Sequence, residues 1–248
     1  MEKAAATQTA MPGGSARRSR GSGRANGAET KRQLKIAAQR LFAERGFDGV
    51  TVQQITAAAG QRNNASLHYH FGSKEELARQ LVVDGAQLID GRRQAMLDAL
   101  EAAPGTMDRR AVILALVMPV ASLGDAPEER SYLRFIANLQ FSRRQLLREA
   151  LGERWNAGYR RCLAHLRRLT PEVPPALLEQ RLSLTGIYGN AILAAREEFM
   201  ESRRGRADRF WGHAHTLENI VDTLLAAITC PPSPETLAAL AEDGADED

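Results

Sequence analysis

The sequence predicts an all-α fold. Apolar residues recur three and four positions apart along most of the chain, which places them on one face of a helix, and the alternation typical of strands is absent. The composition, 44% apolar and 25% charged over 248 residues, is that of an ordinary globular protein. Two cysteines, Cys162 and Cys230, are too few for a disulfide framework, so we expect buried free thiols.

The first 28 residues are predicted to form a disordered basic arm. They contain almost no large apolar side chains, so they cannot bury enough surface to offset the entropy of ordering. Four arginines and one lysine against one glutamate give this segment a net charge of +4. No apolar run follows the arginines, which argues against a secretory signal.

No stretch of the sequence fits a bilayer. The longest uncharged stretches, 111–124 and 182–195, are 14 residues each, whereas a membrane span needs about 20. We therefore expect a cytoplasmic protein without a membrane partner.

The first predicted helix runs from about Thr30 to Arg45. Gly46 and Phe47 follow it, a pattern typical of a left-handed helix stop with a hydrophobic contact behind it. Its apolar stripe consists of Leu34, Ala38, Leu41 and Phe42.

Two short helices and a long one are predicted next. Thr51 with Gln54 forms a capping box, with Val50 and Ile55 placed as a hydrophobic staple, and this helix ends near Gly60. The second short helix starts at Asn63 or Asn64 and carries Leu67 and Phe71 on its core side. Ser73 with Glu76 is another capping box and opens a long helix towards Pro104. This order is that of a helix-turn-helix unit.

The rest of the chain predicts a larger helical domain and a tail. Further helices are expected at roughly 107–123, 127–140, 143–169, 174–201 and 214–229. The stretch 231–248 begins with prolines and ends in acidic residues, so we expect a flexible acidic tail. The predicted division is thus an arm at 1–28, a helix-turn-helix domain at 29–76, a helical domain at 77–230 and the tail.

Charge is distributed unevenly between these parts. The whole chain carries +3, and residues 29–80 hold eight basic and five acidic side chains. With +4 on the arm, the first 80 residues carry +7 and the remainder −4. A basic first third is expected where a protein meets a polyanion.

The second short helix and the turn before it present a mostly polar surface suited to double-stranded DNA. Asn and Gln side chains pair with adenine and Arg with guanine, while Tyr, Ser and Lys donate to phosphate oxygens. The candidate residues are Gln61, Arg62, Asn63, Asn64, Ser66, His68, Tyr69 and His70.

Residues 30–77 resemble the DNA-binding domain of the tetracycline-repressor (TetR) family. The resemblance rests on the Leu-Phe pair and Gly-Phe exit of the first helix, then Thr51, Ile55, Ala59-Gly60, a Leu-x-Tyr-x-Phe ending and Ser-Lys-Glu-Glu-Leu. It implies that the second short helix is the recognition helix. The residues that it implies at the DNA backbone or the groove edge are Thr51, Gln53, Tyr69, His70 and Lys74, and those facing bases are Arg62, Asn63, Asn64 and Ser66.

The sequence departs from the family pattern at two places. Six residues separate Gly60 from Leu67, one more than the commonest family spacing, so counting does not decide which of residues 61–64 touches a base. His68 stands directly after the core leucine, where the family often has Tyr, and Tyr69 follows it. The phosphate-contacting role is therefore open between these two.

Two apolar stripes mark the last predicted helices. Such stripes fit either an intramolecular core or a subunit interface. Resemblance to the family implies that these helices from two subunits form a four-helix dimer interface, as a two-half-site operator requires. The implied interface residues are Leu178, Leu182, Leu217, Val221, Leu224 and Ile228.

The middle helices hold aromatic and polar-tipped side chains that could line an effector pocket. A pocket needs apolar walls with a few placed polar groups, and the apolar bias favours an apolar or amphipathic effector. The candidates are Met118, Tyr132, Phe135, Asn138, Trp155, Tyr159 and Tyr188.

Motifs for catalysis or metal binding are absent from the sequence. There is no G-x-S-x-G, G-x-x-x-x-G-K, H-E-x-x-H or Rossmann glycine pattern, so we expect no enzyme, no catalytic residue and no cofactor. His68 with His70, and His213 with His215, lie two apart and point to different sides of a helix, so we expect no metal site.

The sequence as a whole predicts a homodimeric transcriptional regulator. We expect a repressor that binds a palindromic operator and leaves it when an effector binds, the sign of regulation being implied by the family resemblance. The alternatives are a helical small-molecule-binding protein or enzyme of unrelated fold, and an adaptor without DNA binding. A gel shift with genomic DNA separates them.

Overall fold

The computed structural model describes residues 19–103, 105–124, 126–152, 154–201, 210–213 and 215–245. Within these ranges all regular structure is helical, so the predicted all-α fold is confirmed. One short 3₁₀ helix, Arg154–Asn156, lies between α7 and α8. The α-helices are α1 (Ser19–Arg45), α2 (Val52–Ala58), α3 (Ala65–Phe71), α4 (Lys74–Ala102), α5 (Arg109–Ala121), α6 (Tyr132–Ser142), α7 (Arg144–Leu151), α8 (Ala157–Leu169), α9 (Pro175–Glu201), α10 (His215–Thr229) and α11 (Pro234–Ala245).

Helix α1 begins earlier than predicted. It starts at Ser19 and not near Thr30, so residues 19–28 of the predicted arm are helical. Contacts one turn apart support the middle of this helix, where Glu29 accepts hydrogen bonds from Arg32 at 2.9 Å and from Gln33 at 2.7 Å. A helix with a stable middle extends one residue at a time at little further entropic cost. The rest of the predicted arm, residues 1–18, lies outside the described residues.

The first three helices share one apolar core. Leu34, Phe42, Ile55 and Leu67 have no exposed surface, and Phe71 is buried beside them. The stop after α1 has the predicted left-handed form, since Gly46 has φ +71° and its amide donates to the Phe42 carbonyl at 3.0 Å. These helices therefore hold α3 against α1 and α4.

Helix α4 connects the two halves of the molecule. It packs against α1 and α3 at one end and against α5, α7 and α8 along the rest of its length. Helix α6 lies between α1 and α9, and α10 packs on α5 and α9. Among the described helices none is long and apolar enough to span a membrane.

The single helix predicted at 143–169 is wrong. The structure divides it into α7, the 3₁₀ helix and α8, and the break follows Gly152, which has φ +48° and ψ −152°. Glycine adopts this conformation without a steric penalty, which ends α7.

The predicted flexible tail also needs correction. Residues 234–245 form α11, whose first turn is capped by Ser233 Oγ accepting from the Thr236 amide at 3.2 Å. Leu240 packs on the main core. The last three residues, 246–248, lie outside the described part. Of the two thiols, Cys162 is buried as expected, whereas Cys230 is exposed.

Candidate nucleic-acid interface

The capping box at the start of α2 forms as predicted. Thr51 Oγ1 accepts from the Gln54 amide at 3.2 Å, and the Thr51 amide donates to Gln54 Oε1 at 2.9 Å. Val50 and Ile55 are both buried on either side of the cap. The Thr51 hydroxyl is therefore engaged in holding α2, and the exposed Gln53 side chain projects from the first turn of this helix.

The turn between α2 and α3 begins with a Schellman motif. Gly60, at φ +69°, donates its amide to the Ala57 carbonyl at 3.1 Å, and the Gln61 amide donates to Thr56 at 2.9 Å. Gln61 also places its side-chain amide 3.4 Å from the Ala59 carbonyl. The turn is thus closed locally, and Arg62 is exposed at its tip.

Both asparagines of the turn serve to hold it. Asn63 Oδ1 accepts from the Ala65 amide at 2.9 Å, and Asn64 Oδ1 accepts from the buried Thr56 hydroxyl at 2.8 Å. The first helical residue of α3 is Ala65, just after the predicted start. These two side chains therefore have structural partners, which the spacing alone did not reveal.

Helix α3 buries one face and exposes the other. Leu67 is fully buried, as expected, whereas the Tyr69 side chain is 85% exposed with its ring edge against His70 at 5.0 Å. His68 Nδ1–H donates to the Gly72 carbonyl at 2.8 Å and so caps the end of the helix. Ser66 is half-buried. Tyr69 is thus the more available of the two candidates for a phosphate.

Lys74, which the resemblance implies at the DNA backbone, has partners within the chain. Its ammonium donates to the carbonyls of Phe47 at 3.1 Å and Val50 at 2.9 Å, and lies 4.2 Å from the centre of the Phe47 ring. These contacts join the start of α4 to the connection between α1 and α2. A partly buried cation with two carbonyl partners stabilises the domain.

Lys31 is a candidate that the sequence reasoning missed. Its ammonium lies 5.5 Å from the centre of the Phe71 ring, and Gly27, one turn earlier on α1, approaches His70. The start of α1 therefore runs beside the end of α3 and adds positive charge there. The basic residues 31, 32 and 35 were visible in the sequence, but only packing shows which of them faces α3.

The predicted effector residues separate into groups. Phe135 and Tyr132 are buried, the Tyr132 hydroxyl donating to the Val82 carbonyl at 3.0 Å, and Asn138 Nδ2 donates to the Phe42 and Ala43 carbonyls at 3.2 Å and 3.0 Å. These three join α6 to α1 and α4. The others lie elsewhere: Met118 is half-buried on α5, Trp155 and Tyr159 are half-buried around the start of α8, and Tyr188 is exposed on α9.

The predicted dimer residues are part of the chain's own core. Leu178, Leu182, Val221, Leu224 and Ile228 are all less than 5% exposed within one chain, and Leu217 is partly buried. They fill the space between α9, α10 and α5, so they are not a free surface. In the middle of α9 the exposed apolar side chains are Leu184 at 63%, Ile187 at 39% and Tyr188 at 44%, and near its end Phe199 and Met200 are exposed as well.

Comparison with known proteins finds a family match in the first helices. Residues 36–81 match the family model described as "Bacterial regulatory proteins, tetR family". The chain is 38% identical over 65 residues to the HTH-type transcriptional repressor KstR2 of Mycolicibacterium smegmatis, covering 26% of this chain and 31% of that protein. It is 37% identical over 57 residues to the HTH-type transcriptional repressor AcnR of Corynebacterium efficiens, covering 23% and 30%.

The likeness to a solved structure extends over most of the fold. A protein from Shewanella sp. PV-4 assigned to the tetR family of transcription regulators superposes with a TM-score of 0.53 at 18% identity, covering 80% of this chain and 97% of that one. The curated repressors, by contrast, share only about a third of their length with this chain. Residues 36–81 of this chain therefore form a domain that matches the tetR family of bacterial regulatory proteins, and the regular structure described after that domain is helical.

Proposed function

We propose that this protein is a sequence-specific DNA-binding transcriptional regulator. The observation that carries the proposal is the capped α2–turn–α3 unit, which presents Gln53, Arg62 and Tyr69 to solvent from a domain that matches the family model. The matched relatives are named transcriptional repressors, which supports the same sign of regulation here. The helix-turn-helix domain of the proposal comprises residues 29–76 and the second domain residues 77–230.

The proposed contacts follow from which side chains the fold leaves available. Arg62 is exposed and forms no hydrogen bond with a described residue, so it is the first choice for a base contact. Tyr69 and Lys31 suit phosphates on either side of α3. Gln61, Ser66 and His70 lie beside the proposed DNA-binding face of α3. Asn63 and Asn64 stabilise the turn that positions these side chains.

The proposed regulator acts as a dimer. One recognition helix reads one half-site, so a palindromic operator needs two subunits related by a two-fold axis. Leu184, Ile187 and Tyr188 lie three and four residues apart on α9 and form an exposed apolar stripe that self-association can cover. This stripe replaces the buried residues that the sequence had suggested.

Selection of bound DNA tests the proposal. Full-length protein is incubated with a random duplex library, and the retained sequences are compared with those retained by Arg62→Ala. We expect enrichment of a two-fold symmetric site by the wild type and a loss of that preference in the variant. Retention of no preferred sequence overturns the proposal and favours the alternative, a helical small-molecule-binding protein or enzyme without DNA binding.

A further inference from the structure

A large groove lies between the DNA-binding helices and the second part of the chain. Its volume is about 1230 Å³, somewhat larger than the roughly 300–1,000 Å³ of typical small-molecule sites. The wall is formed by α1, the connection between α5 and α6, the start of α6 and the end of α9. None of the effector residues suggested by the sequence lines it.

One side of the groove is apolar. Leu133 of α6 and Leu193 of α9 are almost fully buried, while Ile36 of α1, Leu123 and Met200 keep part of their surface open to the groove. An apolar wall of this kind gains free energy by covering a hydrocarbon chain.

Two carboxylates of the groove have hydrogen-bond partners at the start of α6. Glu197 accepts from the backbone amides of Leu133 at 3.2 Å and Arg134 at 3.0 Å, and Glu201 accepts from the Ser131 amide at 2.9 Å. Both carboxylates also pair with the Arg134 guanidinium. They hold the start of α6, where Arg134 balances one of the two carboxylate charges and the backbone amides stabilise the other.

Three further arginines line the groove, and they differ in whether another group of the chain binds the guanidinium. Arg40 pairs with Glu44 at 2.8 Å, and Arg130 donates to the Gly124 carbonyl at 3.4 Å. Arg196 forms no hydrogen bond or ion pair with any described residue, and its Nε is buried without a partner. Burial also lowers the pKa of the Arg196 guanidinium. An unpaired, half-buried guanidinium is costly unless an anion occupies the space beside it.

The groove stays open when the exposed stripe of α9 is covered. Leu184 and Leu193 are two and a half helical turns apart, so they point to opposite sides of α9. Arg196 and Met200 follow Leu193 by about one and two turns and stay on its side. A partner subunit on the Leu184 stripe therefore leaves the groove accessible.

We propose that this groove is an effector site for an amphipathic carboxylate, with the anionic head on Arg196 and the hydrocarbon chain against Leu133, Leu193 and Met200. The proposal rests on the proposed function for its regulatory consequence. Ile36 and Arg40 belong to α1, whose opposite face is the core of the DNA-binding helices. A ligand in the groove therefore contacts α1 directly and can displace this helix.

Hydrogen bonds between α1 and the second part of the chain couple the groove to the DNA-binding helices. Gln39 Nε2 donates to the carbonyls of Glu128 at 2.8 Å and Arg130 at 2.7 Å, and Asn138 binds α1 from α6. These bonds set the position of α1 against the second part of the chain. A ligand that shifts α1 changes the position of α3 and so the separation of two recognition helices in a dimer.

Calorimetry on the full-length protein tests the site itself. The probes are octanoate, decanoate and dodecanoate, with decanol and decyl phosphate as comparisons. We expect at least one carboxylate to bind, and Arg196→Gln to weaken it by about tenfold or more, the loss of a charge-assisted hydrogen bond. Arg148→Gln, an exposed change on α7, is the matched control and retains wild-type affinity.

A second variant, Met200→Glu, keeps the site testable if Arg196→Gln fails to fold. Met200 is 39% exposed, so Met200→Glu leaves the core unchanged and should repel the same carboxylate from the groove. Decanol binding as tightly as decanoate, carboxylate binding unaffected by both variants, no carboxylate binding at all, or binding of the phosphate alone would each overturn the proposal.

A DNA readout separates this inference from the proposed function. The carboxylate should weaken binding of the selected duplex by wild type but not by Arg196→Gln, and DNA should weaken carboxylate binding by the same factor. DNA selection that succeeds while the carboxylates fail refutes only the groove. Arg196-dependent carboxylate binding in a protein that selects no DNA refutes the proposed function and supports the groove.

Discussion

Arg93 supplies a hydrogen bond that Pro119 cannot. In a helix the amide of residue 119 would donate to the carbonyl of Ala115, but proline has no amide hydrogen. Arg93 Nε from α4 donates to that carbonyl at 3.2 Å, and its Nη2 reaches the Leu116 carbonyl at 3.1 Å. The carbonyl that Pro119 leaves without a backbone donor in α5 therefore receives its hydrogen bond from α4.

The first prediction concerns this pair. Arg93 is only 8% exposed, and burial lowers the pKa of its guanidinium, with Asp90 and Tyr159 acting in the opposite direction. We expect Arg93→Met to lower the free energy of unfolding by about 1–3 kcal/mol, because it leaves a buried carbonyl without a donor. Chemical denaturation measures the change, and Arg148→Met on the surface of α7 is the control.

A double-mutant cycle attributes the effect to the carbonyl of Ala115. Pro119→Ala restores an amide donor within α5, so Arg93→Met should cost less in that background. An equal cost with and without Pro119 would show that Arg93 acts through other contacts.

The second prediction concerns the two thiols. Cys162 is buried and Cys230 exposed, so a thiol reagent should label one cysteine in the folded protein and both after unfolding. Cys230→Ser should abolish the labelling of the folded protein. Rapid labelling of Cys162 in that variant would contradict the packing of α8 against α4.

The third prediction is the pH dependence that this burial causes. Burial raises the pKa of the Cys162 thiol to about 11, above the value of about 9 expected in the unfolded chain. The neutral thiol therefore stabilises the fold fully below about pH 9, and this contribution is lost as the pH rises towards 11. Unfolding free energies of wild type and Cys162→Ala should converge over that window. A constant difference would contradict the assignment.

The fourth prediction separates reading of bases from contact with phosphate. Arg62→Ala should cost about 1–3 kcal/mol on the selected site and much less on random duplex, if the guanidinium contacts a guanine. Tyr69→Phe should weaken both duplexes equally, because a phosphate contact carries no sequence information. Fluorescence anisotropy at several salt concentrations measures both. Equal losses on the two duplexes for Arg62→Ala would assign Arg62 to the backbone as well.

The fifth prediction concerns the exposed stripe of α9. Leu184→Asp and Tyr188→Asp place charges on a surface that is solvent-exposed in one chain, so both variants should fold. We expect them to shift a dimer towards the monomer in analytical ultracentrifugation, whereas Arg148→Ala, an exposed change on α7, should leave the association unchanged. A wild-type protein that is monomeric at micromolar concentration would refute the dimer proposal.

Local features of the DNA-binding helices were predictable because their partners lie close in sequence. The Thr51–Gln54 box, the Gly46 stop and the Ser73 cap, whose hydroxyl accepts from the Glu76 amide at 3.0 Å, each join residues three or four apart. Such contacts depend on residue type and spacing alone. In the predicted Ser73–Glu76 capping box, the Glu76 carboxylate should have bound the Ser73 amide, but it lies 3.7 Å from the Arg79 guanidinium instead.

The sequence by itself thus determined the helical class, the capped turn and the family resemblance, while the tertiary structure decided which side chains remain available. Lys74 binds carbonyls 24 and 27 residues away, and Asn138 binds α1 over 96 residues. Among the described residues Arg196 has no side-chain partner, while the neighbouring Glu197 and Glu201 bind the start of α6. The buried leucines of α9 and α10 look the same in sequence as an interface would. A helix has several faces, and only the packing of all its neighbours decides which of them is covered.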